Sequence, residues 1–490
     1  MLKKPPKHLA NLHKFKAIFL VFMVTLSFCG LAADIKLPML GDSSSGIVSK
    51  NQEYKLGRAW LQGFRRHVTP YNDPLIQAYL EQLTFDLVNH SELDETRITL
   101  VLVDNHTINA FAVPGGIIGI HTGIFTHADN EDQLASIISH EIAHLSQRHF
   151  ARGIAAKRSS SQINLAGLLA TLVVSSQVGA DAGMAALTAT QAIAADQQLR
   201  YSRNNEQEAD RLGLKIMQNA GRDPAAAGAM LEKMMALSRY KGSRLPEFLL
   251  THPLTESRVS DTRSRALKYQ NRQYPDNADF HFMQARAQVL HQNNPNYSIK
   301  FFNQKLDSNS LKTEAYYYGL AISHSKAGNH TQAKKYIAQL LQKKPSFLTF
   351  VYTDIEIDIA SGDYKSALQK LTDSLHLKHN NIPLQTLQAD ALWKSHQYKD
   401  SAKVLTGLSR RRPEDPNIWY QLAEVRGLAG DISGVHRARS EYFILVGAFD
   451  NAKRQLNFAK KLLQSDVKGL AIVRQRLIDI EEMEKNFKKI

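Results

Sequence analysis

Beyond Pro275 one short string recurs at nearly constant spacing, and this constrains the fold more than any other feature of the 490-residue chain. Gly328-Asn329-His330-Thr331-Gln332-Ala333 is echoed 34 residues later by Gly362-Asp363-Tyr364-Lys365-Ser366-Ala367, and after 35 more by His396-Gln397-Tyr398-Lys399-Asp400-Ser401-Ala402. Pro345 and Pro413 stand 68 apart, twice the first spacing. Helical apolar periodicity fills the intervals, so each unit reads as two helices, with small residues where they cross and proline after the second. Neither helix of such a pair can bury its apolar stripe alone. Stacked pairs share a core and curve into a solenoid with a concave face. Residues 276 to 487 have room for about six units of the usual period, the outer ones degenerate. Gly447 to Ala452 repeats the turn out of phase, so the count stays open.

Residues 34 to 270 mix helix and strand patterns. Residues 74 to 89 have helical spacing, Ile98 to Val103 read as a buried strand, and Asn109 to Ile120 read as strand, turn, strand around Pro114-Gly115-Gly116. A helix is predicted from Asp129 or Asn130, either of which can cap it, to about His149. Residues 156 to 200 are poor in charge and rich in Ala, Gly, Ser and Thr. Their apolar core, Leu165 to Val174, is too short for a bilayer span, so a loosely packed helical pair or a flap beside the active site is expected. The chain is thus mainly α, an N-terminal α+β domain followed by an α-helical solenoid.

The first sixteen residues carry Lys3, Lys4, Lys7, Lys14 and Lys16 without an acid, Ala17 to Leu31 is apolar, and Leu31-Ala32-Ala33 offers a small residue for cleavage. Residues 1–33 therefore read as a signal peptide, and the mature chain as exported across an inner membrane. An uncleaved anchor is the weaker reading, because the apolar run is near the lower length limit for a span. The lone cysteine, Cys29, leaves with that segment, which excludes a disulfide framework, a thiolate metal site and a thiol nucleophile. Losing those five lysines takes the formal charge from +15 to +10. Beyond Arg410-Arg411-Arg412 the basic residues are unclustered, so a solvated surface is expected and nucleic-acid binding is not.

The strongest chemical signal is His140-Glu141-Ile142-Ala143-His144. On a 3.6-residue period the two histidines lie about 40° apart on one helix face, close enough to reach one ion, with Glu141 on the flank. Leu134, Ile138, Ile142 and Leu145 form a separate stripe that can enter the core. A hydrolytic zinc site wants three protein ligands and an open position for water. A third histidine six residues behind His144 is excluded, since Gln147 and Phe150 stand where that pattern needs Gly and His. A distant carboxylate remains, and Glu206-Gln207-Glu208-Ala209-Asp210 offers one 62 residues after His144, in a helix predicted to open at Asn204 or Asn205. Glu206 is preferred to Glu208 because Asp210 lies one turn further on the same face, where it can accept the free N–H of a ligating histidine.

The motif with Arg148-His149 behind it, then Ser202-Arg203-x-x-Glu206-x-x-Ala209-Asp210, resembles the M48 family of gluzincin metallopeptidases. Asn109-Ala110-Phe111-x-x-Pro114-Gly115-Gly116 upstream and His252-Pro253 through Arg258 downstream match as well, in family order across most of residues 50 to 268. The recurring unit resembles tetratricopeptide repeats, and the chain is similar to the secreted, repeat-bearing members of the family. That resemblance implies a metalloprotease domain over 34–270, a repeat domain over 276–487, and one zinc ion per chain held by His140, His144 and Glu206. It implies Glu141 as catalytic carboxylate and a periplasmic location. It also implies work on unfolded or misassembled outer-membrane β-barrel proteins, as chaperone and protease, with the β-barrel assembly machinery contacted through the repeats. His252 has two functional readings: it stabilises the developing oxyanion, or it occupies the open metal position and keeps the enzyme latent. A structural histidine is the third reading. The hairpin offers a sheet edge for an extended substrate, or is an ordinary core hairpin. A repeat scaffold or holdase with minor proteolysis is the competing function, and contact with a membrane surface stays open.

Overall fold

The computed structural model describes residues 48–68, 70–157, 192–240, 247–269, 272–306 and 312–488. The signal peptide expected at 1–33 and most of the 156–200 segment lie outside them. Helix α1 (Lys50–His67) begins at a reciprocal capping box, in which Ser49 and Gln52 each accept from the other's backbone N–H. Helix α2 (Pro74–Asn89) is started by Asp73, which accepts from the Ile76 N–H, with proline at the first helical position. Three strands follow: β1 (Thr99–Val103), β2 (Ala110–Val113) and β3 (Ile117–His121).

The sheet order is β1-β3-β2, with β3 parallel to β1 and antiparallel to β2. The β2–β3 turn is Pro114-Gly115-Gly116, and both glycines take left-handed φ values, +82° and +77°. A side chain on Gly116 would also strike the Arg97 carbonyl at 2.3 Å. Alternation sorts the two faces. Val101, Val103, Phe111, Val113 and Ile117 pack on Leu56, Trp60 and Phe64 of α1, while Leu102, Ile118 and Ile120 face the main core.

Helix α3 (Gly123–His127) leads into α4 (Glu131–Ser146). The Asn130 side chain accepts from the Gln133 N–H, and Glu131 and Asp132 occupy the positive end of α4. Leu134, Ile138 and Ile142 are fully buried. The expected continuation to His149 does not occur: α4 ends at Ser146, Arg148 turns left-handed at φ 50°, and α5 (His149–Lys157) starts afresh. Then come α6 (Ala192–Asn219), α7 (Ala225–Tyr240), α8 (Glu247–Thr251) and α9 (Glu256–Ala266). Glu206 therefore lies well inside α6 and not in a first turn capped by Asn204 or Asn205. Tertiary packing against α4 overrides the breaker tendency of that Asn pair.

The rest of the chain is helical: α10 (Ala278–Leu290), α11 (Pro295–Leu306), α12 (Thr313–Lys326), α13 (His330–Lys343), α14 (Leu348–Ser361), α15 (Tyr364–Leu377), α16 (Ile382–Lys394), α17 (Tyr398–Arg411), α18 (Pro416–Leu428), α19 (Ile432–Leu445), α20 (Phe449–Leu462) and α21 (Val467–Lys488). Left-handed residues end alternate helices at Gly328, Gly362, His396 and Gly430, an even spacing of 34. The expected 35-residue step is one too long. Ser401, not Ala402, fills the fully buried slot that Ala333 and Ala367 occupy, and its hydroxyl donates to the Ala389 carbonyl.

One hydrophobic cluster runs from Leu80 of α2 and Ile138 of α4 to Phe280, Phe350 and Leu387 of the repeats. At this junction the buried Arg286 of α10 donates to Asp73 at 2.8 Å and to both oxygens of Glu356 in α14 at 2.8 and 2.7 Å. Further along the solenoid, Arg412 pairs with Glu81 of α2, and Glu414 receives Arg58 of α1 at 2.7 Å.

Candidate metal centre

Helix α4 supplies His140 and His144 on one face, α6 supplies Glu206, and the turn between α8 and α9 supplies His252. One donor atom from each lies within 4.8 Å of all the others, and this is the one such group among the described residues. The His140 and His144 Nε2 atoms stand 3.0 Å apart. The Glu206 oxygens reach them at 3.3 and 3.4 Å. His252 Nδ1 lies 3.1 Å from both Glu206 oxygens and 3.3 Å from His140 Nε2. Imidazole nitrogens and a carboxylate converging from three segments form a donor set that fits a metal ion.

The surroundings sharpen that fit. His140 Nδ1 lies 3.1 Å from Asp210 Oδ1. Arg258 of α9 grips Asp210 with two bonds of 2.7 and 2.8 Å, reaches Glu206 at 3.0 Å, and donates to the Pro253 carbonyl at 2.8 Å. One buried guanidinium thus ties α6 to the turn that carries His252. Burial opposes charge on Asp210, yet Arg258 and His140 hold its carboxyl below the usual range. Burial likewise opposes charge on Glu206, and His252, His140 and His144 outweigh it, holding the carboxyl well below its ordinary value. Burial drives His144 down to about 3, whereas in His140 the same penalty is overcome by Asp210 and Glu206, which raise it to about 10. Two ionised carboxylates this deep call for buried positive charge. Arg258 supplies one such charge and the raised His140 imidazole a second, which a cation at the point where the Nε2 atoms meet would replace.

Glu141 is fully buried and neither oxygen makes a well-formed hydrogen bond; its nearest basic neighbour is His252 Nε2 at 3.4 Å. Burial raises its pKa, with His252 and His140 opposing. A fully buried carboxylate whose nearest basic partner is an imidazole 3.4 Å away is costly, which suits a group kept ready for a proton.

Strand β2 lies at the edge of the sheet, beside α4. The His121 N–H donates to the Asn109 carbonyl, so alternate residues Phe111 and Val113 continue the pairing with β3. The N–H and C=O groups of Ala110 and Ala112 then point to the open edge. That edge runs past Glu141, whose carboxylate feels the Ala112 N–H.

The four sequence candidates His140, His144, Glu206 and His252 thus converge, Glu141 flanks them, and Asp210 backs His140. Glu208, the rejected alternative to Glu206, turns away to His149 and Arg152 at 3.2 and 3.0 Å. Arg258 received no role from the sequence; the signal available was an arginine six residues after His252.

The model of peptidase family M48 matches residues 74–266, and a tetratricopeptide repeat model matches residues 386–432. The chain is 31% identical over 453 residues to the Beta-barrel assembly-enhancing protease of Escherichia coli (strain K12), covering 92% of both chains. It is 30% identical over 461 residues to the protein of that name from Yersinia pestis, covering 94% of each. A shorter likeness, 30% over 202 residues, joins 40% of this chain to 56% of the Mitochondrial metalloendopeptidase OMA1 of Schizosaccharomyces pombe.

Proposed function

The chain belongs to peptidase family M48, and from that premise we propose that it is a periplasmic zinc endopeptidase and chaperone that assists outer-membrane β-barrel assembly and degrades the barrels that fail. The name of its full-length relatives supports the client class, and the long repeat surface supports protein partners, the β-barrel assembly machinery first among them. Residues 34–270 act as the protease and 276–487 as the repeat domain, with residues 1–33 removed on export. Among the described residues no helix is long and apolar enough to cross a membrane.

His140, His144 and Glu206 hold one zinc ion per chain, which when bound lowers the pKa of a water molecule and polarises the scissile carbonyl. Glu141 accepts the water's proton and passes it to the leaving amine. Asp210 keeps the His140 proton on Nδ1 and so leaves Nε2 free to ligate. The open edge of β2 pairs with an extended client through its backbone, a contact indifferent to sequence and suited to unfolded chains. His252 is the latency residue: its Nδ1 sits among the ligands, in the position a water would need, so activity requires the α8–α9 turn to withdraw.

The observation that carries this reading is the fully buried Glu141 carboxylate beside the converging donors. The test measures zinc content and casein hydrolysis together. Glu141→Gln should keep the metal and lose about 10²–10⁴-fold in hydrolysis, and Glu206→Gln should lose both. Unchanged hydrolysis by Glu141→Gln would overturn the enzymatic reading. Full rescue of a deletion strain by Glu141→Gln would favour the scaffold or holdase instead.

A further inference from the structure

The two ligating histidines are backed differently, and the second backing has not been assigned. His144 points Nε2 into the cluster, so its Nδ1 faces outward, where His149 Nδ1 lies 2.8 Å away. A neutral imidazole that ligates through Nε2 carries its proton on Nδ1, which makes His144 the donor and His149 Nδ1 the acceptor. The His149 proton then sits on Nε2, 3.2 Å from Glu208 Oε2, and Glu208 also accepts from Arg152 Nη1 at 3.0 Å. Each step forces the next, and the chain ends on a carboxylate–arginine pair, as the His140–Asp210–Arg258 chain does.

The backbone is bent to make this contact. Arg148 holds φ 50°, a left-handed value uncommon outside glycine, and is pinned by Glu53 at 2.9 Å and by the Val48 carbonyl at 2.6 Å. The reversal lets His149 open α5 with its ring folded back against His144, centroids 4.8 Å apart at 77°. A continuous helix would carry residue 149 past residue 144. Strain at one residue persists where a specific geometry needs it.

We propose that His149 and Glu208 are positioning residues that lock the tautomer and orientation of His144 for metal binding. The proposal rests on the reading of His144 as a ligand. The test titrates zinc into the full-length protein against a chromophoric chelator and records the visible spectrum of the cobalt-substituted form. His149→Ala is expected to weaken zinc binding about 10–100-fold and to shift the cobalt bands. His149→Asn, whose Oδ1 can accept from His144 Nδ1, is expected to recover most of both, and Glu208→Gln to fall between.

Equal affinity in His149→Ala and wild type, or an Asn variant as weak as the Ala variant, overturns the proposal. So does a loss of affinity that merely follows a lowered unfolding temperature of the zinc-free protein. His144→Ala separates the two layers. Wild-type zinc binding by that variant removes the ligand assignment itself, whereas abolished binding beside an unaffected His149→Ala removes only the positioning role.

Discussion

The metal-centre region and the repeats bury their helices by opposite means. Around the cluster, groups from α4, α6, the α8–α9 turn and α9 meet, and the side chains they bury are charged: Glu141, Glu206, Asp210 and Arg258. In the solenoid, consecutive helices pack on one another through fully buried Ala333, Ala367 and Ser401, and most charge stays outside. Where acids do enter, as Asp354 and Asp358 do, lysines from the flanking helices α13 and α15 cover them. The protease half therefore depends on distant segments meeting in one geometry, and the repeats on neighbours meeting in a geometry that recurs. Substitutions in the first region should propagate, and in the second should stay local.

The harshest test of that contrast is a single methyl group. A Cβ on Gly57 of α1 would stand 2.0 Å from the Pro114 carbonyl oxygen, backbone that cannot give without moving the β2–β3 turn. Gly57→Ala should cost more than about 4 kcal/mol, read as a collapse of the urea midpoint or as insoluble protein. A midpoint near wild type would show that the sheet edge is softer than the comparison claims. Next comes the seam between the regions. Arg286→Ala strands Asp73 and Glu356 without their shared cation and should cost about 3–5 kcal/mol, lowering the unfolding temperature of both halves together. Separate transitions in calorimetry, with only one displaced, would show that the halves are less coupled than their common core suggests.

Acid should act at the same seam. Burial, with His106 adding to it, lowers His291 from 6.5 to about 4, and its Nε2 lies 2.5 Å from the Thr122 hydroxyl across the boundary. Because the folded value is the lower one, the unfolded chain takes up the proton first as pH falls. Stability is then complete above pH 6.5 and declines down to about 4. His121, lowered to about 4 by burial alone, acts in the same window. His291→Gln should flatten part of the fall in melting temperature over that range, and an unaltered slope would remove His291 from the account. The smallest effect belongs to the repeats: nothing lies within 4 Å of a Cβ on Gly407, inside α17. Gly407→Ala should stabilise by about 0.5–1 kcal/mol, as a slight rise in urea midpoint at constant slope. A loss there would mean that the solenoid transmits strain after all.

Legibility followed the range of the interactions. The spacing of His140 and His144 is a property of one helix, and the repeat period a property of neighbouring helices, so both show in the order of residues. Helix ends read less well. The break after Ser146 is enforced by contacts that Arg148 makes with Glu53 and Val48, about a hundred residues earlier in the chain. Ala402 matches the small-residue pattern one step too late, because burial selects Ser401; both are small, and only packing separates them. Arg258 closes the motif that starts at His252-Pro253, but its role is not legible there, since that role lies in Glu206 and Asp210 meeting it.

By itself the sequence determined which residue types were on offer and how they repeat: two imidazoles and a carboxylate on one helix, acids one turn apart on another, and a 34-residue helical unit. Local geometry depends on φ, ψ and residue spacing, which the chain carries wherever it goes. The tertiary structure alone decided that Glu206 faces the histidines while Glu208 faces His149, that His252 enters the cluster, and that one arginine joins Glu206 and Asp210 to the turn. Those outcomes depend on the balance between desolvating charges and pairing them, and that balance exists only once distant segments are buried together.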